Sequence, residues 1–229
     1  MPAWPLREIE TWIFDLDNTL YPSSCALYRE VEARMTAFIM AELKLDSEAA
    51  HGLRRRFFEQ HGTTLRGLML DYGLEPKRFL EFVHELDLSP VPRDPSLAAA
   101  IAALPGRKII FTNGTARHAE RLLAHLELTD AFSGIHDIVA CDYVPKPDPS
   151  GYRLLMDRHA LAGQRTAMVE DMAKNLAPAA ALGMTTVWVK GGPHAHPAEG
   201  EAEHIHHIVE DATTLAAFLA AIPLTPAAE

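Results

Sequence analysis

The chain has 229 residues, 48% hydrophobic and 23% charged, enough for one sizeable domain or a core with a smaller insert. Lys and Arg number 21 against 31 Asp and Glu, a net charge of −10. That balance argues against a nucleic-acid or anionic-membrane surface but leaves a small anionic substrate open, because a metal and a few cations can reverse a local field. Cys25 and Cys141 are the only cysteines, so no disulfide framework is expected and a reducing cytosol is the default. Residues 1–10 lack the basic end and apolar core of a signal peptide, and no apolar run is long enough to span a bilayer.

In chain order, residues 9–15 read as a buried strand that ends in Asp15-Leu16-Asp17. Tyr21-Pro22-Ser23-Ser24 breaks the pattern. Helical spacing follows in Leu27, Val31, Met35, Phe38 and Ile39. Asp46 or Ser47 caps a second helix with Leu53 and Phe57, and Gly62 lies just past its end. Thr63 or Thr64 opens a third, with Leu65, Leu68, Met69 and Tyr72 inward and Gly73 as its stop. Pro76 suits the first turn of a fourth, where Phe79, Phe82, Val83 and Leu86 face in. Ser89-Pro90-Val91-Pro92 reads as a linker. Residues 21–91 are therefore expected to form an all-helical insert, flanked by a core of residues 1–20 and 92–229.

Past the linker, helix and strand alternate. Strands are expected over 108–112, 137–141, 166–170 and 185–189, with a short one over 205–209. Asp94, Thr115, Asp148 and Asp211 stand at helix starts, and Met172 begins a helix that Gly183 ends. Repeated βα units imply a three-layer, Rossmann-like parallel sheet with right-handed crossovers. The tail over 223–229 is Pro/Ala-rich and is expected to fray.

Two acids at the end of a buried strand are costly unless paired or metal-bound. A polar turn built on Asn18 and Thr19 is the plainer reading of that pair alone. Three later stretches stand at comparable places: Phe111-Thr112-Asn113-Gly114-Thr115, Pro145-Lys146-Pro147-Asp148 and Val169-Glu170-Asp171. In an open parallel sheet, ligands bind outside the carboxyl ends of the strands, so all four can meet in one crevice.

In this order the four motifs resemble the haloacid dehalogenase superfamily of phosphotransferases, whose helical cap is inserted directly after the first strand. The resemblance implies Mg²⁺-dependent phosphomonoester hydrolysis. Asp15 would be the nucleophile that forms an aspartyl-phosphate. Asp17 would be general acid for the leaving alcohol and then base for water; dehalogenase relatives do not carry this acid. Asp171 and Glu170 would bind the ion, with Asp15 and the Asp17 backbone carbonyl supplying further oxygens. Thr112 hydroxyl and the Asn113 amide would hold the transferring phosphoryl group, and Lys146 would clamp it beside Asp15. Asn175, four residues after Asp171, is placed to hold that carboxylate or to be a plain surface residue.

The opening Asp-Leu-Asp-Asn-Thr-Leu-Tyr and the Gly62–Leu68 segment look like the pyrimidine 5′-nucleotidase branch, with Arg66 as the cap residue facing the substrate, or else as a solvated turn arginine. Phosphoglycolate-type or sugar-phosphate phosphatases and mutases are the rivals, and a catalytically silent phospho-ligand module is the alternative of another class. Arg54-Arg55-Arg56 reads as a solvated helix face. His194, His196, His204, His206 and His207 read as a mobile loop running into a strand rather than as a metal site.

Overall fold

A computed structural model describes residues 4–192 and 203–223. Strand β1 (Thr11–Phe14) is the centre of the molecule, with all four residues buried. It pairs in parallel with β2 (Arg107–Phe111) on one side and β4 (Thr166–Glu170) on the other. β3 (Gly134–His136), β5 (Thr185–Val189) and β6 (His207–Val209) complete the sheet in the order β3-β2-β1-β4-β5-β6, every pairing parallel.

The strand period of two decides what packs where. Trp12 and Phe14 point into one cluster with Leu97, Ile101, Leu122 and Leu215. These come from α5 (Pro95–Ala103), α6 (Ala116–His125) and α9 (Leu215–Ala220). Ile13 points the other way, onto Tyr152, Leu155 and Leu176. They belong to α7 (Pro149–His159) and α8 (Ala173–Ala181). Both faces are covered, which is why these strands read as continuous apolar runs.

Between β1 and α5 the chain forms α1 (Leu27–Leu43), α2 (Ser47–His61), α3 (Thr64–Tyr72) and α4 (Pro76–Val83). They share their own apolar cluster around Phe38, Ile39, Phe57, Leu68, Phe79 and Val83. Side chains at the helix starts take the free N–H groups: Asp46 from Ala49, Thr63 from Arg66, Glu75 from Lys77 and Arg78. Gly62 and Gly73, both left-handed, end α2 and α3.

Three expectations change. The strand expected over 137–141 lies earlier, at Gly134–His136. Asp137 ends it, because its carboxylate accepts from Ala116 and Ala140 N–H at 2.8 and 2.9 Å and folds residues 137–140 into a turn. Tyr72 and Phe82, expected inward, are 50% and 40% exposed. Tyr72 is the last residue of α3 and meets the Phe57 ring only by an edge, while Phe82 lies under the Arg34 guanidinium at the rim. A short 3₁₀ turn, Ala212–Thr214, follows the Asp211 cap before α9 begins.

Helix α3 crosses α2 at Gly67, where any Cβ would run into the Phe57 ring. Gly52, in α2, has open space instead. Alanine gains about 1 kcal/mol of helix propensity over glycine, whereas overpacking a buried contact costs about 1–3 kcal/mol. Gly52→Ala should therefore stabilise the protein, and Gly67→Ala should destabilise it despite the same gain in propensity. Urea unfolding midpoints of the two variants check the opposite signs.

Candidate active site

The site lies past the carboxyl ends of β1, β2 and β4. Asp15 continues the β1 ladder by donating its N–H to Val169 O at 2.9 Å. The chain then turns, with Asn18 in the left-handed region at φ 61° and Leu20 N–H on Leu16 O.

Lys146 gathers the strand ends. Its Nζ donates to Asp15 Oδ1 at 2.7 Å, Glu170 Oε2 at 2.6 Å and Phe111 O at 2.9 Å. An ammonium has three protons, and here each has an acceptor from a different strand. Lys146 is only 3% exposed. Asn113 fixes it from outside: the Asn113 Oδ1 accepts the Lys146 N–H at 2.9 Å, and Nδ2 reaches Lys146 O at 3.5 Å. The second oxygen of Asp15, Oδ2, accepts from the Thr19 hydroxyl at 3.2 Å.

Asp171 follows β4. Its backbone carbonyl accepts from Trp188 Nε1 at 2.8 Å, and its carboxylate packs so close to Gly192 that a Cβ there would strike it. Carboxylate oxygens of Asp15, Glu170 and Asp171 lie within 4.8 Å of one another, all buried. Burial, then the Glu170 charge, raises both Asp15 and Asp171 well above the usual carboxylate range. Burial alone would lower Lys146; the Asp15 and Glu170 charges outweigh it and raise it. Three buried carboxylates face a single ammonium, an all-oxygen donor set with room for another positive charge. That chemistry fits a hard divalent cation such as Mg²⁺.

Asp17 turns away from this cluster into the cleft between cap and core. Its Oδ1 accepts from the Tyr21 hydroxyl at 2.7 Å and meets His118 Nε2 at 3.0 Å. Burial would raise its carboxyl, but His118 and Tyr21 outweigh that and hold it down at about 2. Thr112 Oγ1 accepts from Gly114 N–H at 2.9 Å, which leaves its hydroxyl proton for a ligand. Thr115 caps α6 by accepting from His118 N–H.

The cap side of the cleft differs from expectation. Gly62, Thr63 and Thr64 do reach the Lys146 loop and line the cleft. Arg66 is half-buried and does not line the cleft; its charge acts on Asp148, at the end of that loop and the start of α7. Its backbone N–H goes to the Thr63 hydroxyl at the start of α3. Arg54 lines the cleft instead, its side chain 11% exposed and paired with Glu32 at 2.5 Å. Only Arg55 and Arg56 are the solvated face that the triple arginine suggested. Phe58, Tyr28 and Lys174 also line the space, with the Lys174 ammonium 4.5 Å from the Phe58 ring centre.

Asn175 is buried, yet among the described residues no hydrogen bond joins it to Asp171, and its Oδ1 has no partner. Asp171 precedes the helix, which starts at Ala173, so a four-residue helical spacing does not carry between them. His194 and His196 lie outside the described residues. His204 bonds Ala173 O and His206 bonds Thr186, which ties both to the sheet and α8. Tyr21, His118 and Lys174 carry no functional expectation from sequence, and Arg54 was expected only on a solvated helix face. A histidine among the buried Ala119, Leu122 and Leu123 of α6 was the one available signal.

A helical cap over an acid-lined parallel sheet defines a class of hydrolase. The sequence profile of the haloacid dehalogenase-like hydrolases matches residues 9–183, and the chain belongs to that family. It is 25% identical over 224 residues to Phosphate metabolism protein 8 of Saccharomyces cerevisiae, covering 90% of this chain and 63% of that one. The chain thus spans less than two thirds of the yeast relative. It is 29% identical over 198 residues to the phosphoglycolate phosphatase of Rhodospirillum rubrum, covering 81% of each. Among solved structures, an L-2-haloacid dehalogenase of Xanthobacter autotrophicus superposes with a TM-score of 0.58 at 18% identity, covering 94% of this chain and all of that one. The magnesium-bound hydrolase YfnB of Bacillus subtilis gives 0.60 at 17% identity, covering 92% and 98%.

Removing the Lys146 charge would strand two buried acids. Lys146→Met should cost about 3–5 kcal/mol, the range for breaking a buried ion pair. Asp15 already titrates above its usual range in the folded state, and losing the lysine, which lowers it, raises it further, so the folded state binds the extra proton. Stability of the variant should rise as pH falls from 8 to 5. Urea unfolding at both pH values, in chelator, tests magnitude and sign together.

Proposed function

We propose that the protein is a Mg²⁺-dependent phosphomonoesterase that works through an aspartyl-phosphate on Asp15. The observation that carries this reading is a second carboxyl, Asp17, aimed into the cleft beside the buried Asp15–Lys146 pair. Displacing a halide needs no proton, whereas an alkoxide leaving group does.

The Asp15 carboxylate attacks phosphorus as the ester oxygen leaves, and that oxygen takes a proton from Asp17. Asp17 is ionised in the free site; the phosphate charge bound beside it raises its affinity for that proton. Water then attacks the phosphoryl group, gives its proton back to Asp17, and releases phosphate and free Asp15. Lys146 orients Asp15 and offsets its charge. Thr112 hydroxyl and the Asn113 N–H bind the phosphoryl oxygens. Asp15, Glu170, Asp171 and the Asp17 backbone carbonyl would hold Mg²⁺, which neutralises the carboxylates and the developing phosphoryl charge.

The substrate class we infer is a pyrimidine nucleoside 5′-monophosphate. Phe58 and Tyr28 offer aromatic surface, and the Arg54–Glu32 pair offers donors and acceptors to a ring edge. The second reading, a phosphoglycolate phosphatase, draws on the Rhodospirillum relative and on Arg54 as partner for a substrate carboxylate. Glu32 weighs against it, because its charge already offsets Arg54.

Asp15→Asn should abolish hydrolysis, and chelation should do so reversibly on adding Mg²⁺ back; full turnover in either condition would sink the mechanism. For the substrate, kcat/KM for UMP and CMP should exceed that for AMP, GMP and phosphoglycolate. Arg54→Ala should raise KM for UMP about tenfold or more, the order of one charged hydrogen bond. Arg66→Ala should leave it unchanged. A preference for phosphoglycolate that Arg54→Ala abolishes would favour the second reading.

A further inference from the structure

Asp17 is gripped by one oxygen only. The Tyr21 hydroxyl and His118 Nε2 both converge on Oδ1, at 2.7 and 3.0 Å. Among the described residues no hydrogen bond reaches Oδ2. The two contacts approach the same oxygen from different sides of the site, and the other ring nitrogen of His118, Nδ1, is buried with no partner among the described residues.

His118 is itself immobilised. It is 1% exposed, and Thr115 Oγ1 holds its backbone N–H at 3.2 Å. Its ring stacks on His84 with centroids 4.5 Å apart and planes 15° from parallel. His84 follows α4 in the cap. Arg121 of α6 pins that segment, donating to His84 O and Leu86 O at 2.8 Å each. A carboxylate on a flexible side chain has two equivalent oxygens and free rotation about χ2. Two donors on one oxygen remove that freedom.

We propose that His118 is a positioning residue, which clamps Asp17 by Oδ1 so that Oδ2 is the atom that gives the proton to the leaving oxygen, and that His84 braces this clamp from the cap. The inference rests on Asp17 acting as the acid. A tightly packed pair of histidines with no part in catalysis is the competing account. It requires every loss on substitution to be indifferent to the leaving group.

The test is the rate of phosphoenzyme formation in the full-length protein by rapid quench, with p-nitrophenyl phosphate and with the best alkyl phosphate of the substrate panel. Nitrophenolate leaves without a proton and alkoxide does not. His118→Leu keeps the volume and loses the donor. It should slow the alkyl ester by roughly 10–100-fold, the scale of an ~1 Å misplacement of a catalytic group, and p-nitrophenyl phosphate by less than about 3-fold. His118→Gln, which can place an amide N–H near the same point, should recover much of the loss. In an Asp17→Asn background, His118→Leu should cost nothing further. Equal losses with both substrates, or a full additional loss in Asp17→Asn, would overturn the clamp while leaving Asp17 as the acid. If Asp17→Asn alone loses both substrates equally, the acid role falls, and the clamp with it.

Discussion

One ammonium group holds the site together. Lys146 Nζ bonds to a residue after β1, a carbonyl on β2 and a residue at the end of β4, three strands adjacent in the sheet and 131 or fewer residues apart from it in sequence. Each bond is buried, and without the ammonium the acids would be left as uncompensated buried groups. The geometry of Asp15, Lys146 and the Glu170–Asp171 pair is therefore a property of strand order. β1 must lie between β2 and β4 for the three acceptors to converge. Asn113 makes the arrangement two-sided, because the loop after β2 also grips the backbone of the lysine.

Cap and core meet the cleft with unlike chemistry. The core supplies Asp17, Asn113 and Lys146, the groups on which the proposed phosphate chemistry rests. The cap supplies Arg54, Glu32, Tyr28 and Phe58, the side chains to which the proposed choice of ester is assigned. Contacts across the boundary include Gly62 against Pro145, His84 against His118, Lys174 against Phe58, and Arg121 on the carbonyls after α4. On the proposed function, a selective surface is thus added to a general reaction without disturbing the acids beneath.

Much of this was legible in the sequence, for physical reasons. Buried parallel strands must be apolar throughout, so β1, β4 and β5 stood out. Helix starts carry side-chain caps, and Asp46, Thr63, Asp94, Thr115, Asp148 and Asp211 all take backbone N–H groups. The four strand-end motifs do meet. Errors arose where a side chain competed with the backbone or where helix phase decided. Asp137 turned an apolar stretch into a loop, Asp171 lay just outside its helix, and Arg54 of α2 rather than Arg66 of α3 lines the cleft. Partnerships such as His84 with His118 join distant segments, and no local pattern announces them.

The topology also bears on how the protein reaches this state. The α1–α4 insert closes its cluster largely with residues near in sequence, the kind of contact that forms quickly. The sheet cannot: β1 needs β2, which follows the whole insert, and β4, made later still. A growing chain therefore carries Asp15 without its cation until Lys146 has been made. Until then an ionised Asp15 keeps the strand end hydrated, and a solvated charge beside an apolar run deters it from pairing with other chains.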